Sequence, residues 1–284
     1  MTKRGKPSRS QRSGRQPAGR RQRQGSGERR GRRGGARGLG GDQVEGRHAV
    51  RELLLAGLRP VREVLIGDDL DRADIIDDIT DLAGELGVPL RAIGRKRLAA
   101  EAATGSHQGV IARAAPVPEH PLDELVAGPE PFLLVLDGVT DPGNLGAVLR
   151  TAECAGVTGV VLPRHRSVHL TPTVTKAAAG AIEHLPMAVV GGIPAALTRL
   201  AESGVTTVGL DAGGDRPLFG SLPAVDGVAL VLGAEGRGLS RLVRERVDML
   251  VAIPLRGGLN SLNIAAAAAI ACFEVVRTRP NQTN

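Results

Sequence analysis

Six short apolar runs, alternating with helical patterns, constrain the fold of the second half of this 284-residue chain. Each run has the length of a buried strand. Parallel strands that are covered by helices on both faces have this near-continuous apolar character. The sequence therefore predicts an α/β domain with a parallel sheet over residues 132–284. Its expected strands are Phe132–Leu136, Gly159–Leu162, Met187–Val190, Thr206–Leu210, Val228–Leu232 and Leu250–Ile253.

A smaller α/β domain is predicted ahead of this one, over residues 42–115. A proline-rich linker over residues 116–131, with one short helical turn, is expected to join the two domains. The expected helices of the smaller domain are His48–Ala56, Asp71–Leu86 and Arg95–Ala103, and its expected strands are Val61–Ile66, Val88–Ile93 and Gly109–Ala114.

Residues 1–41 form an Arg-rich tail of different composition. The first 40 residues contain 14 Lys or Arg and one acidic residue, a net charge of +13. The rest of the chain has 23 basic and 29 acidic residues, a net charge of −6. With so few apolar residues the tail is expected to be disordered. Arg-rich disordered segments attract polyanions by counterion release, which favours RNA attachment over a mere solubility role.

Hydropathy and cysteine content bear on location. No apolar stretch approaches the roughly 18 residues that span a membrane, and no secretory signal follows the basic N-terminus. Cys154 and Cys272 lie far apart on expected helices, and both are interpreted as buried thiols. These features predict a reducing, cytoplasmic location.

The segment 137–152 follows the first strand of the larger domain. Its proline and glycines predict a tight loop, which ends where a helix begins over Ala147–Ala155. Asn144 is then expected in the loop, and Arg150 within the first two turns of the helix. Ligands bind beside such strand-to-helix connections in open α/β sheets. An amide and a guanidinium there suit an anionic or hydroxyl-rich substrate, although a turn former and a solvated helix residue would look the same.

A glycine-rich loop spans residues 232–240. Its glycines let the backbone approach a ligand closely. Their order, Gly-x-x-Gly-x-Gly, is not the dinucleotide-binding fingerprint, and no Gly-Lys-Ser/Thr ending indicates a phosphate-binding P-loop. A nucleotide-binding oxidoreductase is therefore disfavoured. Glu235 stands between the glycines, where an acid must be solvated or paired.

A third polar loop, residues 253–263, precedes an alanine-rich helix. Ser261 and Asn263 are helix-capping residue types directly before a strong helix former, and capping explains one of them. Leu262 between them is expected to be buried, so that the loop also offers hydrogen bonds inward. The alanines allow this helix to pack closely against a partner.

Together the three segments resemble motifs one, two and three of the SpoU/TrmH family of RNA ribose 2′-O-methyltransferases. Each motif is weak alone, but three in this order, each after an expected strand, are specific. The matching residues are Asn-x-Gly-x-x-x-Arg from Asn144 to Arg150, Gly-Ala-Glu-Gly from Gly233 to Gly236, and Ser-Leu-Asn from Ser261 to Asn263.

The smaller domain is similar to the ribosomal-protein-like substrate-binding domain of one subgroup of that family. The similarity lies in Glu45-Gly-Arg-His-Ala-Val and Ser106-His-Gln-Gly-Val-Ile-Ala. The resemblance implies a deep trefoil knot in the C-terminal domain and a homodimer with the active site near its interface. It also implies S-adenosylmethionine as cofactor, and no metal. By motif position, the cofactor contacts fall at Leu232, Gly233, Gly236, Ile253 and Leu262.

The reaction that the resemblance implies is methyl transfer to a ribose 2′-oxygen, with a guanosine of 23S ribosomal RNA as the favoured target. Transfer RNA as substrate, or a non-catalytic RNA-binding or ribosome-assembly role, are the alternatives. The implied catalytic residues are Arg150, Asn144, Glu235, Ser261 and Asn263. A guanidinium in a protein is a cation and not a base. We therefore expect Arg150 to bind the adjacent phosphate and stabilise the developing alkoxide.

The other four residues have positioning roles in this interpretation. Asn144 places the ribose or phosphate, and Glu235 orients Arg150 or the loops. Ser261 and Asn263 fix the third loop and the ribose.

RNA recognition is expected to rely on Arg, His and backbone groups. The chain has three Phe and no Tyr or Trp, which is too few for an aromatic platform that stacks single-stranded bases. Solvated charges are the alternative interpretation for about half of the candidates. These are Arg47, His48, Arg95, Lys96, Arg97, His107, Gln108 and Arg113 in the smaller domain, and Arg164, His165 and Arg166 beside the catalytic loops.

Overall fold

The first sheet has four strands in the order β1-β4-β2-β3. The computed structural model describes residues 38–70, 73–165, 169–223 and 225–279. In this sheet β2 and β3 are parallel, and the other neighbours are antiparallel. The elements are β1 (Gln43–Glu45), α1 (Arg47–Ala56), β2 (Val61–Gly67), α2 (Asp74–Glu85), β3 (Leu90–Ile93), α3 (Arg95–Glu101) and β4 (Val110–Ala114).

The second sheet has seven strands in the order β7-β6-β5-β10-β8-β11-β9, and every neighbouring pair is parallel. The predicted parallel α/β domain is confirmed. Its elements are α4 (Leu122–Leu125), β5 (Phe132–Asp137), α5 (Pro142–Cys154), β6 (Gly159–Pro163), α6 (Pro172–Ala177), β7 (Met187–Val190), α7 (Ile193–Glu202), β8 (Thr206–Leu210), β9 (Arg216–Pro217), β10 (Val228–Gly233), α8 (Arg241–Arg244), β11 (Met249–Ala252) and α9 (Ile264–Thr278).

Both faces of the large sheet are buried. Successive residues of β5 point to opposite faces. Leu134 and Leu136 belong to the core layer that contains residues of α5 and α9. Leu133 and Val135 belong to a second layer that contains residues of α7. A strand buried on both sides needs apolar residues at every position, which explains the unbroken apolar runs of the sequence.

The strand order gathers the polar loops at one edge. β10 lies between β5 and β8, and β11 lies beyond β8. In a parallel sheet the carboxyl ends of these strands share one edge, where ligands bind in open α/β folds. This strand order agrees with the trefoil knot that the resemblance implies. The passage of the chain through a loop, which would make the knot, stays a prediction.

Helix α5 begins earlier than the sequence predicted. The expected start was Ala147, but the helix starts at Pro142, because Asp141 caps it. The Asp141 side chain accepts a hydrogen bond from Asn144 N at 2.7 Å. Proline is favoured at the first helical position, where no backbone N–H is needed. Asn144 therefore lies in the first turn of α5 rather than in a loop, and Arg150 lies in the third turn.

Two segments outside the expected domains are packed. Leu39, assigned to the tail, is buried, and its N–H donates to Val117 O at 2.9 Å. In the expected linker, Leu122 and Leu125 are buried in the core. Apolar side chains at these positions explain the packing. The rest of the Arg-rich tail, up to residue 37, lies outside the described residues.

The two cysteines differ. Cys272 is buried as expected, and burial raises the pKa of its thiol to about 12. Cys154 is exposed, so the expectation of a buried thiol is wrong there. It is the last residue of α5, where the helix end meets solvent.

A buried ion pair joins the domain of the four-stranded sheet to the domain of the seven-stranded sheet. Arg59, between α1 and β2, donates through Nε and Nη2 to the two carboxylate oxygens of Glu183, both at 2.7 Å. Its Nη1 donates to Gly41 O at 2.7 Å and also to Ala115 O. The side chains are 4% and 2% exposed. The planar guanidinium thus binds the carboxylate bidentately, a geometry that lysine lacks.

Replacement of Arg59 by Met should lower the free energy of unfolding by about 3–5 kcal/mol, because it leaves the Glu183 carboxylate buried without its partner. Urea denaturation measures the change. Arg91→Met is the matched control, since Arg91 forms an exposed pair with Glu63 and such pairs contribute about 0–1 kcal/mol. Equal, small losses in both variants would contradict the assignment.

Candidate active site

Three side chains from the three polar segments form one hydrogen-bonded network, called here the amide–carboxylate network (Asn144, Glu235 and Asn263). Asn144 Nδ2 donates to Glu235 Oε2 at 3.0 Å. Asn263 Nδ2 donates to Glu235 Oε1 and to Asn144 Oδ1, both at 2.9 Å. Each member contacts both others, so segments up to 119 residues apart in sequence are joined directly.

Asn263 is held by the helix that follows it. It is the N-cap of α9, and its Oδ1 accepts a hydrogen bond from Ala265 N at 2.8 Å. This bond fixes which end of the amide faces the helix, so Nδ2 must face the network. Of the two capping residue types that the sequence offered, Asn263 is the cap.

Tight glycine turns place Glu235. Ala234 and Gly238 exchange two backbone hydrogen bonds, at 3.1 and 2.9 Å, around the Glu235 turn. A Cβ on Gly233 would lie 2.0 Å from the carbonyl carbon of Gly238. Only glycine permits this close approach, because any side chain would overlap the backbone. The glycine-rich pattern is therefore a requirement of the turn that presents Glu235.

A cavity of about 480 Å³ adjoins the network, within the usual size of small-molecule sites. Ser261 and Glu235 line it. All of the sequence-predicted cofactor residues line it as well, namely Leu232, Gly233, Gly236, Ile253 and Leu262. Leu262 was expected to be buried but is 40% exposed, because it forms part of the wall of this cavity.

A larger cavity of about 1050 Å³ also adjoins the network. Asn144, Asp141 and His165 are among its lining residues. Glu235 lines both cavities. The network therefore contacts two cavities, one of cofactor size and one that can admit a larger substrate.

Arg150 lies apart from the network. It is exposed, and it is not among the residues that line either cavity. Six residues along an α-helix correspond to a rotation of about 240°, so Arg150 and Asn144 face different sides of α5. Glu235 bonds the two asparagines, and within the described ranges it forms no hydrogen bond with Arg150.

Of the two segments that resemble a substrate-binding domain, the first begins at Glu45 and the second at Ser106. The first segment contacts the loop at Ala103 and Thr104 through Glu45, and it contacts the second segment through Arg47. The Glu45 carboxylate is buried and accepts hydrogen bonds from Ala103 N at 2.5 Å, Thr104 N at 3.0 Å and Thr104 Oγ1. Burial alone would raise the pKa of Glu45, but the hydrogen bonds outweigh it and hold the pKa below its ordinary value. Arg47 N and Nε donate to Gln108 Oε1 and O, both at 3.1 Å.

The predicted RNA-contacting residues divide into free and engaged groups. Arg113 is engaged, because it pairs with Glu63 at 3.2 Å and with Glu101. Arg164 pairs more loosely with Glu119, at 3.6 Å. Arg166 lies outside the described residues. Arg47 and Gln108 are engaged with each other. The remaining exposed members are His48, Arg95, Lys96, Arg97 and His165, while His107 is half-buried.

A hydrogen bond to His107 indicates which of its two ring nitrogens carries the proton. Its Nδ1 lies 3.1 Å from Gly109 N and accepts that N–H. A neutral ring with an accepting Nδ1 carries its proton on Nε2, which leaves an N–H donor for another group.

Sequence reasoning missed Asp137, which ties the first segment to the second. Its Oδ2 accepts a hydrogen bond from Ser240 N at 2.9 Å. The sequence signal that could have identified Asp137 is an acidic residue directly after an expected strand. It also missed Arg59 and Glu183, which no local pattern connects across 124 residues.

The described residues contain neither a candidate metal site nor a membrane-spanning helix. Among these residues, no group of three or more His, Cys, Asp or Glu could hold a metal ion. None of the helices in them has the length and apolarity needed to cross a membrane.

The fold and the site define an α/β domain with cavities at the carboxyl ends of its parallel strands, preceded by a smaller mixed-sheet domain. Residues 131–273 match the family model described as SpoU rRNA Methylase. Residues 43–120 match the model described as RNA 2′-O ribose methyltransferase substrate binding. The chain belongs to the SpoU rRNA methylase family.

Curated relatives align over almost their whole length. The chain is 40% identical over 247 residues to the 23S rRNA (guanosine-2′-O-)-methyltransferase RlmB of Photobacterium profundum, which covers 85% of this chain and 99% of the relative. It is 39% identical to the protein of that name from Escherichia coli K12, over 84% of this chain and 99% of the relative.

Solved structures share the fold. A structure described as RNA 2′-O ribose methyltransferase matches with a TM-score of 0.71 and 25% identity, over 83% of this chain and 88% of the other. The SpoU methyltransferase AviRb from Streptomyces viridochromogenes matches with a TM-score of 0.70 and 26% identity, over 84% and 89%.

Replacement of Asn263 by Ala should lower the free energy of unfolding by about 1–2 kcal/mol, because it removes the N-cap of α9 and two network donors. Ser261→Ala is the control. Ser261 is exposed, and a substitution at such a site stays within about 0.5 kcal/mol. Urea denaturation of both variants measures the free energy of unfolding. An equal decrease in both would contradict the assignment of Asn263 as the N-cap of α9.

Proposed function

We propose that this protein transfers a methyl group from S-adenosylmethionine to the ribose 2′-oxygen of a guanosine in 23S ribosomal RNA. The observation that carries the proposal is the amide–carboxylate network, which joins the three family motifs beside a cavity of cofactor size. Relatives with this activity in their names align over 99% of their length at about 40% identity. The same site would serve a methyltransferase that acts on transfer RNA, so the substrate rests on these relatives.

The smaller cavity fits the cofactor. Leu232 and Ile253 offer apolar walls for an adenine ring, and Gly233 and Gly236 leave the backbone open to close contact. Leu262 completes the wall from the third loop. When bound, the cofactor supplies a methyl group on a positively charged sulfur. The protein's own task is then to hold the acceptor oxygen in line with that methyl.

The network performs this alignment by fixing the loops. Asn263 Nδ2 uses its donors on Glu235 and Asn144, and Glu235 accepts from both asparagines. Among the described residues Asn144 Nδ2 donates to Glu235 alone, so one of its two N–H groups remains for a ribose or phosphate oxygen in the larger cavity. Holding the reacting groups in place contributes several kcal/mol to catalysis, about 7–11 at most. The Ser261 hydroxyl lines the smaller cavity and helps to hold the ribose in this proposal.

Arg150 supplies charge rather than a proton acceptor. Its guanidinium binds the phosphate next to the target ribose and stabilises the developing negative charge on the 2′-oxygen. The proton of the hydroxyl leaves to solvent or to a substrate phosphate.

The active unit is a homodimer in this proposal. Helix α9 packs on α5, which carries Arg150, and it exposes Phe273 and Val276, which are 49% and 41% accessible. Apolar side chains in such a position favour contact with another protein surface. A second copy over this layer would bring Arg150 into the interface region, where its charge can reach a bound RNA.

The smaller domain, residues 42–115, binds folded RNA in this proposal. Its exposed His48, Arg95, Arg97 and Gln108 are the best placed candidates, since Arg113 is neutralised by two carboxylates. Residues 116–131 connect it to the catalytic domain over residues 132–284. The basic residues 1–41 add sequence-independent attraction to RNA. A cytoplasmic location follows from this substrate.

Purified protein with labelled S-adenosylmethionine should methylate 23S ribosomal RNA in a total RNA preparation from cells that lack the enzyme. Primer extension at low deoxynucleotide concentration then maps one guanosine. Label confined to purified transfer RNA would reverse the substrate assignment. Calorimetric absence of S-adenosylmethionine binding would replace the enzyme with an RNA-binding protein of the same fold.

Replacement of Arg150 by Ala should reduce methyl transfer by 100-fold or more, on the order of the loss of one charge-stabilising donor. Cofactor affinity should stay near the wild-type value, because Arg150 lines neither cavity. Arg199→Ala is the control, since Arg199 pairs with Asp123 on an exposed face. Turnover of the Arg150 variant close to wild type would end its proposed role.

Replacement of Phe273 by Glu should convert the dimer to a monomer, because it places a charge in the proposed apolar interface. Light scattering after size exclusion measures the mass, and far-ultraviolet circular dichroism checks the fold. The control Leu86→Glu changes a residue that is also 49% exposed but lies at the end of α2 in the smaller domain. A wild-type protein that is monomeric at micromolar concentration would refute the dimer.

A further inference from the structure

A buried carboxylate lies in the cofactor cavity without an assigned role. Asp211 directly follows β8, the strand between β10 and β11. It lines the same cavity as Leu232 and Ile253, which lie at or next to the ends of those neighbouring strands. Its side chain is only 8% exposed.

One oxygen of Asp211 is fully engaged and fixes the orientation of the group. Oδ1 accepts hydrogen bonds from Gly213 N and from Arg244 Nη1, both at 2.8 Å. Within the described ranges Oδ2 accepts none. The carboxylate is therefore held rigidly at one oxygen, while the other stays available to a donor.

Gly238 keeps that second oxygen accessible. Its φ is +65°, and a Cβ added there would lie 3.2 Å from Asp211 Oδ2. A larger residue would strain the backbone and cover the oxygen. Asp211 Oδ2 borders the cavity and accepts no hydrogen bond from the described residues, so it can accept one from a bound ligand.

We propose that Asp211 Oδ2 accepts a hydrogen bond from a ribose hydroxyl of the bound S-adenosylmethionine. This inference rests on the proposed function. An acidic residue near a strand end is the usual partner of a nucleotide ribose in open α/β sheets. The cationic Arg244, 2.8 Å from Oδ1, disfavours the alternative in which the cofactor's ammonium group binds here, because like charges repel.

The test uses 5′-methylthioadenosine, which keeps the adenine and ribose of the cofactor but lacks its ammonium group. Its 2′-deoxy and 3′-deoxy analogues remove the hydroxyls one at a time. Calorimetry measures the affinity of the full-length wild type, Asp211→Asn and Asp215→Asn for each compound. Asp215 is an exposed carboxylate of the same segment and serves as the matched control.

We expect Asp211→Asn to weaken binding of 5′-methylthioadenosine by about tenfold or more, since a hydrogen bond to a charged group is lost. Removal of the contacted hydroxyl should weaken binding to the wild type and to Asp215→Asn, yet cause little further loss in Asp211→Asn. This coupling distinguishes the ribose from the adenine amino group, which all three compounds share.

Equal affinity of Asp211→Asn and wild type overturns the inference, as does a hydroxyl deletion that weakens both proteins by the same factor. Thermal unfolding checks that the variant is folded, and Asp211→Ser repeats the cycle if Asp211→Asn is not. A wild type that binds neither S-adenosylmethionine nor 5′-methylthioadenosine would instead overturn the proposed function itself.

Discussion

The Glu235 carboxylate, accepting one amide hydrogen bond from Asn144 and one from Asn263, is the interaction on which the site depends. Without it, the segments after β5, β10 and β11 would keep only the Asn263–Asn144 and Ser240–Asp137 hydrogen bonds. With it, all three segments are joined through one side chain that lines both cavities. A carboxylate with two amide donors satisfies its charge without a cation, so the positive charge of Arg150 remains available for another partner.

Much of the catalytic domain could be predicted because its strands are buried on both faces. Continuous apolar runs such as Phe132–Leu136 leave little freedom in their assignment, and the three polar segments after such runs had to meet at one sheet edge. The start of α5 was less predictable, since Pro142 and its glycine neighbour suit a loop as well as a first helical turn. The Asp141 cap decided between them.

Other features depend on contacts that no local pattern contains. Glu183 and Arg59 look like ordinary surface residues in the sequence, and only the fold shows that they form a buried bidentate pair. The placement of Arg150 away from the network follows from the angular position of a residue on a helix whose beginning had been misjudged. Asp211 follows an expected strand, but only the structure shows that one of its oxygens accepts two hydrogen bonds and the other none from the described residues.

The double role of Asn263 has a consequence for biosynthesis. Its Oδ1 caps the last helix while its Nδ2 bonds the first and second motifs. Ribosomes deliver the chain from its N-terminus, so a nascent polypeptide that ends before residue 263 has neither the cap nor the closed ring of side chains. The pocket therefore matures only after the final helix has emerged from the exit tunnel, and truncated translation products lack the complete centre.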